Sequence, residues 1–328
     1  MNVEITNHLS DDTLTQWQNL INSAGLVANE CAERTVLVYD GERLVATGSR
    51  DGYVLKLIAV DGDYRGEDLT STVITELRRD AFDEGHRHLF LYTKPQNRYT
   101  FESLFFYPVA ETEGVLVMEN KKDGIKEFLA SLPKAPSADK VGGIIMNCNP
   151  FTLGHQYLIE LAARECECVF VFVLSEQMGR FSAEDRLNMV KAGVAHLSNV
   201  TVLPTGPYLI SAATFPTYFI KNRDLAKDAA CEVDIEIFIK HFAKRLGITR
   251  RYLGTEPLSN LTARYNALIK ERLSGTEIEV REVERLCEGG APISASEVRS
   301  LIDEGNQDAL VRLVPRTTLE YLKNKKYL

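Results

Sequence analysis

The sequence predicts an α/β protein of two domains: an α+β domain on an antiparallel sheet, followed by a doubly wound parallel sheet. Three observations predict it. The chain has 328 residues, more than one typical core accommodates. Its first part carries strand-like runs joined by Asp-Gly turns, and its second part alternates short apolar runs with helical stretches. Between them, "SLPKAPSADK" from Ser131 to Lys140 combines two prolines with small and charged residues, a composition at which helices stop. The expected domains are therefore residues 1–133 and 134–328.

In the first domain, "TVLVYDGERLVATGSRDGYVLKLIAV" reads as three strands, with hairpin turns at Asp40-Gly41 and Asp51-Gly52. In "DGDYRGEDLTSTVITELRRDAFDEG", Leu69, Val73, Ile74, Leu77 and Ala81 recur at helical spacing, and Gly85 suits a C-terminal cap. "HLFLYT" reads as a strand, and "RYTFESLFFYPVAETEGVLVMEN" as a short helix and a last hairpin. The expectation is an antiparallel meander interrupted by helices. After the boundary, "VGGIIMN", "VFVFVL", "VTVLPT", "RRYLGT" and "EIEVREVE" read as strands separated by helices such as "SAEDRLNMVKAGVAHL" and "IEIFIKHFAKRLG". That alternation implies a parallel sheet covered on both faces, with ligands beyond the carboxyl ends of its strands.

Composition narrows the function. A formal charge of −8 argues against a nucleic-acid binder driven by phosphate contacts. No apolar run approaches the ~20 residues that span a bilayer. "MNVEITNHLSDD" is acidic and polar, unlike a secretory signal, so a cytoplasmic location is expected. Six scattered cysteines include Cys166 and Cys168, with no second pair at zinc spacing; they read as reduced thiols, and no protein metal site is expected.

"IIMNCNPFTLGHQYLIELAARE", Ile144 to Glu165, runs from a buried strand into an amphipathic helix. Amide groups at that helix start favour an anion, and Gly154 lets a phosphate approach the backbone. Thr152 and His155, three apart, share the first turn. A hydroxyl and an imidazole beside a polyphosphate can stabilise charge developing at an attacked α-phosphate. Thr-X-Gly-His alone arises by chance in roughly one chain in twenty of this length, and a capped helix with a surface histidine is the plain alternative. A second segment, "GGAPISASEVRSLIDEG", offers Ser294 or Ser296 as an N-cap and Arg299 within reach of the helix start. Two hydroxyls, amides and a guanidinium make another anion cradle, or simply a helix cap.

Thr-X-Gly-His after the first strand, with Ile-Ser-X-Ser-X-X-Arg (Ile293 to Arg299) after the last, resembles the nucleotidyltransferase superfamily of adenylyl- and cytidylyltransferases. Thr152 stands where many members carry a first histidine. The resemblance implies that His155 binds phosphate at the reaction centre with Thr152, and that Ser294, Ser296 and Arg299 hold the departing pyrophosphate. It implies a Rossmann-like fold, ATP, and Mg²⁺ held mainly by phosphates, with Asn149, Phe151, Gly154 and Ile293 lining the ATP site. Asn147 either contacts acetate or a phosphate, or satisfies the turn. Gly254, Thr255 and Glu256 end another strand and either line the adenosine pocket or form a plain turn. Arg186 is read equally well as a solvated helix face or a ligand contact.

"EQMGRFSAEDRLNMVKAGVAHLSNVTVLPTGPYLISAATFPTYFIK" and "RRYLGTEPLSNLTARYN" resemble the citrate lyase ligase family, over nearly the whole chain. That resemblance implies formation of acetyl-adenylate from ATP and acetate. The acetyl group would then pass to the thiol of the CoA-like prosthetic group on the citrate lyase acyl-carrier subunit, with AMP and pyrophosphate released. Ser211, Thr214 and Tyr218 are candidates for the acetate or acceptor side. The rival is an adenylyltransferase acting on a phosphorylated pantetheine or nicotinamide precursor.

"DYRGEDLTSTVITEL" resembles the acyl-CoA signature of GNAT-type acetyltransferases, whose amides cradle a pyrophosphate at a helix start. Arg65 and Gly66 are the candidates for binding the CoA-like group. Asp63 and Asp68 occupy the outer positions, and Phe101 stands where many members use a tyrosine general acid. A phenyl ring donates no proton, so the expectation is docking of the prosthetic group or its carrier rather than acetyl transfer from acetyl-CoA.

Overall fold

A computed structural model describes residues 1–27, 32–177, 179–210, 223–257 and 259–328. They form two compact units, one built on Met1–Glu127 and most of a helix Arg223–Ile237, the other on the remaining described residues. No helix among them is long and apolar enough to cross a membrane.

The first unit runs β1 (Asn2–Thr6), α1 (Asp11–Ser23), β2 (Arg34–Asp40), β3 (Arg43–Asp51), β4 (Val54–Val60), α2 (Leu69–Asp83), β5 (Phe90–Thr93), α3 (Arg98–Glu102), β6 (Tyr107–Glu111) and β7 (Leu116–Glu119). Both Asp-Gly turns form, with Gly41 and Gly52 at φ 60° and 51°. α2 buries Leu69, Val73, Ile74, Leu77 and Ala81 and ends at Gly85, φ 89°, as its periodicity predicts. The strand order β1-β2-β3-β4-β5-β7-β6 departs from a meander. β4 and β5 are parallel, because the α2 crossover returns the chain in the same direction, and β7 inserts between β5 and β6. The unit is an α+β fold on a mostly antiparallel sheet.

The chain continues through α4 (Gly124–Ser131), β8 (Val141–Met146), α5 (Leu153–Glu165), β9 (Cys168–Val173), α6 (Ala183–Gly193), β10 (Val200–Pro204) and α7 (Arg223–Ile237). A π-helical stretch Phe238–Ala243 leads into α8 (Lys244–Leu246). Then come β11 (Arg250–Gly254), α9 (Asn260–Leu273), β12 (Glu279–Val283), the small hairpin β13 (Cys287–Glu288) and β14 (Ala291–Pro292), α10 (Ala295–Asp303), α11 (Gln307–Leu310) and α12 (Arg316–Asn324). Residues 133–140 form neither helix nor strand.

All five sequence-read strands of the second unit form one parallel sheet, ordered β10-β9-β8-β11-β12. The order reverses beside β8, and a crevice opens beyond the strand ends at such a reversal. β9 is buried along nearly its whole length, as an interior parallel strand must be. α12 and the residues after it are tied to α6 by Tyr321 and Tyr327, whose hydroxyls donate to Asp185 at 2.7 and 2.9 Å. Burial alone would raise the Asp185 carboxyl, but these phenols and the Ser182 hydroxyl hold it below the usual range.

The close packing of α2 on β3 yields a stability prediction. A Cβ on Gly48 would stand 2.4 Å from Val73 Cγ1 and 3.1 Å from Leu77 Cδ1, where the β3–β4 register shifts. Gly48→Ala should therefore destabilise the chain by ~1–3 kcal/mol through overpacking. A urea midpoint equal to wild type at unchanged slope would show that α2 yields without cost.

Candidate active site

The site is built where β8 gives way to α5. Met146 ends the strand, and residues 147–152 turn sharply: Cys148 lies at φ 53°, and the Asn149–Pro150 peptide is cis. Cys148 is fully buried, so its thiol is pushed well above the ordinary value by burial and is held as a neutral packing group. Phe151 is fully buried against Gly193 and stacks under the His155 ring, centroids 5.9 Å apart at 17°.

Thr152 caps α5, and His155 occupies the third helical position that a capping box normally gives to Glu or Gln. The Thr152 N–H donates to His155 Nδ1 at 3.0 Å, and the His155 N–H donates to Thr152 Oγ1 at 3.4 Å. The hydroxyl also lies 2.8 Å from Nδ1. Because a backbone amide donates to Nδ1, the neutral ring carries its proton on Nε2 and presents that N–H as a donor. Burial, assisted by the charge of Arg285, pushes the imidazole down to about 4, so it is neutral at ordinary pH. Thr152 is 2% exposed and spends its hydroxyl on the histidine. Its direct partner is therefore His155, which it orients.

Most amide donors at this helix start are engaged within the chain. Leu153 N–H donates to the Leu313 carbonyl at 2.9 Å, and Thr152 and His155 serve the capping box. Among the described residues, that leaves the Gly154 amide. Neither backbone nor packing demands glycine here: a Cβ would meet Thr152 Oγ1 at 3.6 Å and Ile293 at 3.7 Å, ordinary contacts. A bare Cα instead clears the approach to the free N–H.

The second motif arrives at the same place. Ile293, 6% exposed, packs beside Gly154. Ser294 caps α10 by accepting from the Glu297 N–H at 3.1 Å, which leaves the Ala295 and Ser296 amides without partners among the described residues. Arg299 donates from Nη1 to the Asn149 carbonyl at 2.6 Å and from Nη2 to Ser296 Oγ at 2.9 Å. The two segments, far apart in sequence, share one cradle. Asn149 is 8% exposed; its Oδ1 accepts from the Phe181 N–H at 3.3 Å, so both its oxygens are committed to the chain.

Arg186 departs from the solvated-face reading. It is fully buried on α6, donates from Nη1 to the Asn147 carbonyl at 3.2 Å and to Asn147 Oδ1, and from Nη2 to the Glu176 carbonyl. Burial lowers its pKa. Its flanks Asp185, Met189, Val190 and Gly193 are buried too, so the guanidinium rides inward on the helix's apolar face. Asn147 is thereby held at the end of β8 by a cation.

Beyond β11, the Gly254 carbonyl accepts from Asn266 Nδ2 at 2.9 Å. Glu256 accepts from the Ser259 N–H at 3.1 Å and from Arg285, which also donates from Nε to the Thr255 carbonyl at 2.7 Å. Arg285 escaped the sequence reading: it follows a strand in a stretch without periodicity, and only its place beyond the last parallel strand hinted at it. Ser211, Thr214 and Tyr218 lie outside the described residues. No group of three His, Cys, Asp or Glu among the described residues is arranged for a metal.

In the first unit, Gly66 at φ 97° and Asp68 at φ 57° shape the approach to α2, and Asp68 caps it without a side-chain bond. β4 pairs with β5 only at Val54–Phe90 and Leu55–Leu91, and β4 turns irregular at Leu57, φ 54°. Phe101 is 5% exposed and packs in the core of this unit.

The family model of the citrate lyase ligase C-terminal domain matches residues 141–322. The chain is 39% identical to the citrate (pro-3S)-lyase ligase of Escherichia coli, over 95% of this chain and 90% of that protein. It is 39% identical to the Klebsiella pneumoniae protein of the same name, over 88% and 86%, and 36% identical to that of Haemophilus influenzae, over 94% and 95%.

The neutral histidine has a measurable consequence for stability. Its folded pKa, about 4, lies below the 6.5 of an unperturbed imidazole. As pH falls, the unfolded chain takes up this proton first, so the folded state loses stability from about pH 6.5 down to about pH 4. His155→Gln keeps an acceptor for the capping box and does not titrate. Denaturation midpoints of wild type should fall relative to this variant across that window; parallel curves would contradict a ring held neutral in the folded chain.

Proposed function

The chain belongs to the citrate lyase ligase family, and from that premise we propose that it activates citrate lyase by ATP-dependent acetylation of the prosthetic-group thiol on the lyase's acyl-carrier subunit. The observation that carries this reading is the bond from Arg299 to the Asn149 carbonyl, which joins the two anion-binding motifs around three unengaged amides.

The reaction begins with an acetate oxygen attacking the α-phosphorus of ATP. The bond from that phosphorus to the bridging oxygen breaks, and pyrophosphate leaves with the electron pair. The thiol sulfur then attacks the acetyl carbonyl, AMP departs, and a thioester forms as the thiol proton passes to solvent. A carboxylate is a weak nucleophile, so much of the rate must come from holding it in line. His155 suits the first step because its Nε2–H can donate to an α-phosphate oxygen as charge builds, without giving up a proton. The Gly154, Ala295 and Ser296 amides and Arg299 suit the β- and γ-phosphates, since amides at helix starts and guanidinium forks both favour phosphate oxygens. Asn147, fixed by Arg186, is the candidate for orienting acetate or the α-phosphate, and Gly254 and Glu256 for the adenosine side. These donors fit phosphate oxygens rather than a metal ion. Mg²⁺ would be carried on the phosphates, where it supplies charge neutralisation.

The GNAT-like unit is assigned to docking. A β4 edge that leaves β5 after two residue pairs can hydrogen-bond an extended amide-rich arm, and the turn at Arg65 and Gly66 leads into a helix start suited to a diphosphate. Phe101, buried and without a transferable proton, supports docking over independent acetyl transfer.

Two measurements test the scheme. ATP–pyrophosphate exchange should require acetate, and His155→Ala should lower its kcat by ~10²–10³-fold while the fold stays intact. Exchange indifferent to acetate and dependent on a phosphorylated acceptor would replace this reading with simple adenylyl transfer. Gly66→Val, which puts a branched side chain at φ 97°, should raise the KM for carrier protein several-fold and leave acetate-dependent exchange unchanged. An unaltered carrier KM would remove the docking role.

A further inference from the structure

Arg285 stands in the site without a part in the scheme above. It follows β12, and its backbone N–H donates to Thr255 Oγ1 at 3.3 Å, so it lies at the carboxyl edge of the sheet beside the loop that leaves β11. β11 is the immediate neighbour of β8. The next residue, Leu286, accepts from the Ile293 N–H at 3.0 Å and closes the β13–β14 hairpin. The far leg of that hairpin, β14, runs directly into Ile293, which packs beside Gly154 and leads into Ser294 and Ser296. One short hairpin thus sets Arg285 next to the free amides of both motifs.

The guanidinium is incompletely used. Nε serves the Thr255 carbonyl and Nη2 serves Glu256, while Nη1 has no partner among the described residues. The Glu256 side chain is 7% exposed and that of Arg285 is 28% exposed, so the carboxylate sits below and the cation faces outward. Its field reaches the His155 ring and disfavours a proton there. A cation restrained by one carboxylate, with a free N–H beside three free amides, suits a polyanion that competes with that carboxylate.

We propose that Arg285 is a phosphate-binding residue of the adenylyl-transfer site, held in place by Glu256 and donating to the β- and γ-phosphates of ATP and to pyrophosphate. The inference rests on the adenylyl-transfer reading and adds to it a third cation, on the β12 side of the cleft. Arg186 is fully buried with its guanidinium bonded to the chain, whereas Arg285 is partly exposed with Nη1 unengaged among the described residues, so Arg285 joins Arg299 as a guanidinium able to follow pyrophosphate as it leaves. It also keeps the neighbouring imidazole uncharged, so that the site presents a neutral donor to the α-phosphate and a charged one to the leaving group.

The test uses the full-length chain, with inorganic pyrophosphate as the binding probe and acetate-dependent ATP–pyrophosphate exchange as the kinetic one. Arg285→Gln should raise the pyrophosphate Kd and the ATP KM at least tenfold, and Arg285→Lys should recover most of that loss. Glu256→Gln should shift pyrophosphate affinity the opposite way, because it weakens the restraint on the guanidinium. The His155 imidazole, followed by NMR titration, should titrate at higher pH in Arg285→Gln. Wild-type pyrophosphate affinity in folded Arg285→Gln overturns the proposal, even if the imidazole shifts, because Arg285 would then be only an electrostatic neighbour. In that case loss of exchange in His155→Ala leaves adenylyl transfer standing. Absence of acetate-dependent exchange in wild type sinks the underlying reading instead.

Discussion

The hydrogen bond from Arg299 to the Asn149 carbonyl is the constraint on which the site depends. It is charge-assisted and short, a class that contributes ~1.5–3 kcal/mol where a neutral bond gives about 1. Its partner belongs to a turn that needs outside support, because Cys148 sits in the left-handed region and Phe151 is driven fully into the core. Support comes from three directions. Arg299 holds the turn from α10, Arg186 holds it from α6, and the Leu313 carbonyl takes the Leu153 amide. Each contact consumes a polar group that would otherwise compete for a ligand. The donors left over, Gly154, Ala295 and Ser296, face one place because the turn and α10 are fastened to each other.

The histidine follows from the same economy of donors. A glutamate at this capping position would satisfy the Thr152 amide equally well but would bring a negative charge to an anion site. Imidazole accepts through Nδ1 and still offers a donor at Nε2, so one side chain closes the helix start and keeps a donor for the proposed reaction. Charging it is opposed by burial, by Arg285 and by the positive end of the α5 dipole. The ring is therefore a fixed hydrogen-bond donor, and acid–base titration near neutrality plays no part in what it offers.

Local pattern carried much of this into the sequence. The five parallel strands, α2 with its buried stripe, both Asp-Gly turns and the two anion motifs are each specified within a short window, where periodicity and turn chemistry act. What escaped was nonlocal. The α2 crossover that makes β4 and β5 parallel, and the insertion of β7 between β5 and β6, depend on which strands meet, and no window reports that. On sequence, Arg186 reads equally well as a solvated helix face or a ligand contact. Its inward turn is set by Asn147 and Glu176, whose carbonyls it reaches only in the folded chain. Thr152 was legible as part of the motif, but its commitment to His155 Nδ1 was not, since helical spacing gives neighbours without saying which atoms pair.

Three guanidiniums thus act on one small region at different depths. Arg186, fully buried and wrapped by carbonyl and amide oxygens, is too enclosed to meet a ligand, and its work is to fix Asn147. Arg299 divides itself between the Asn149 carbonyl and Ser296, so it can touch a phosphate only while holding the cradle closed. Arg285 is balanced by the one carboxylate among these contacts, a partner a polyanion can compete with. A buried cation resists rearrangement because leaving its oxygens costs several kcal/mol, whereas Arg285, 28% exposed, can turn towards a polyanion at lower cost. In the proposed scheme, rigid placement suits the step in which acetate would be held in line, and yielding contacts suit the binding and release of pyrophosphate. The contrast between fully buried Arg186 and the partly exposed Arg299 and Arg285 fits that proposed order, from atoms held still to those that depart.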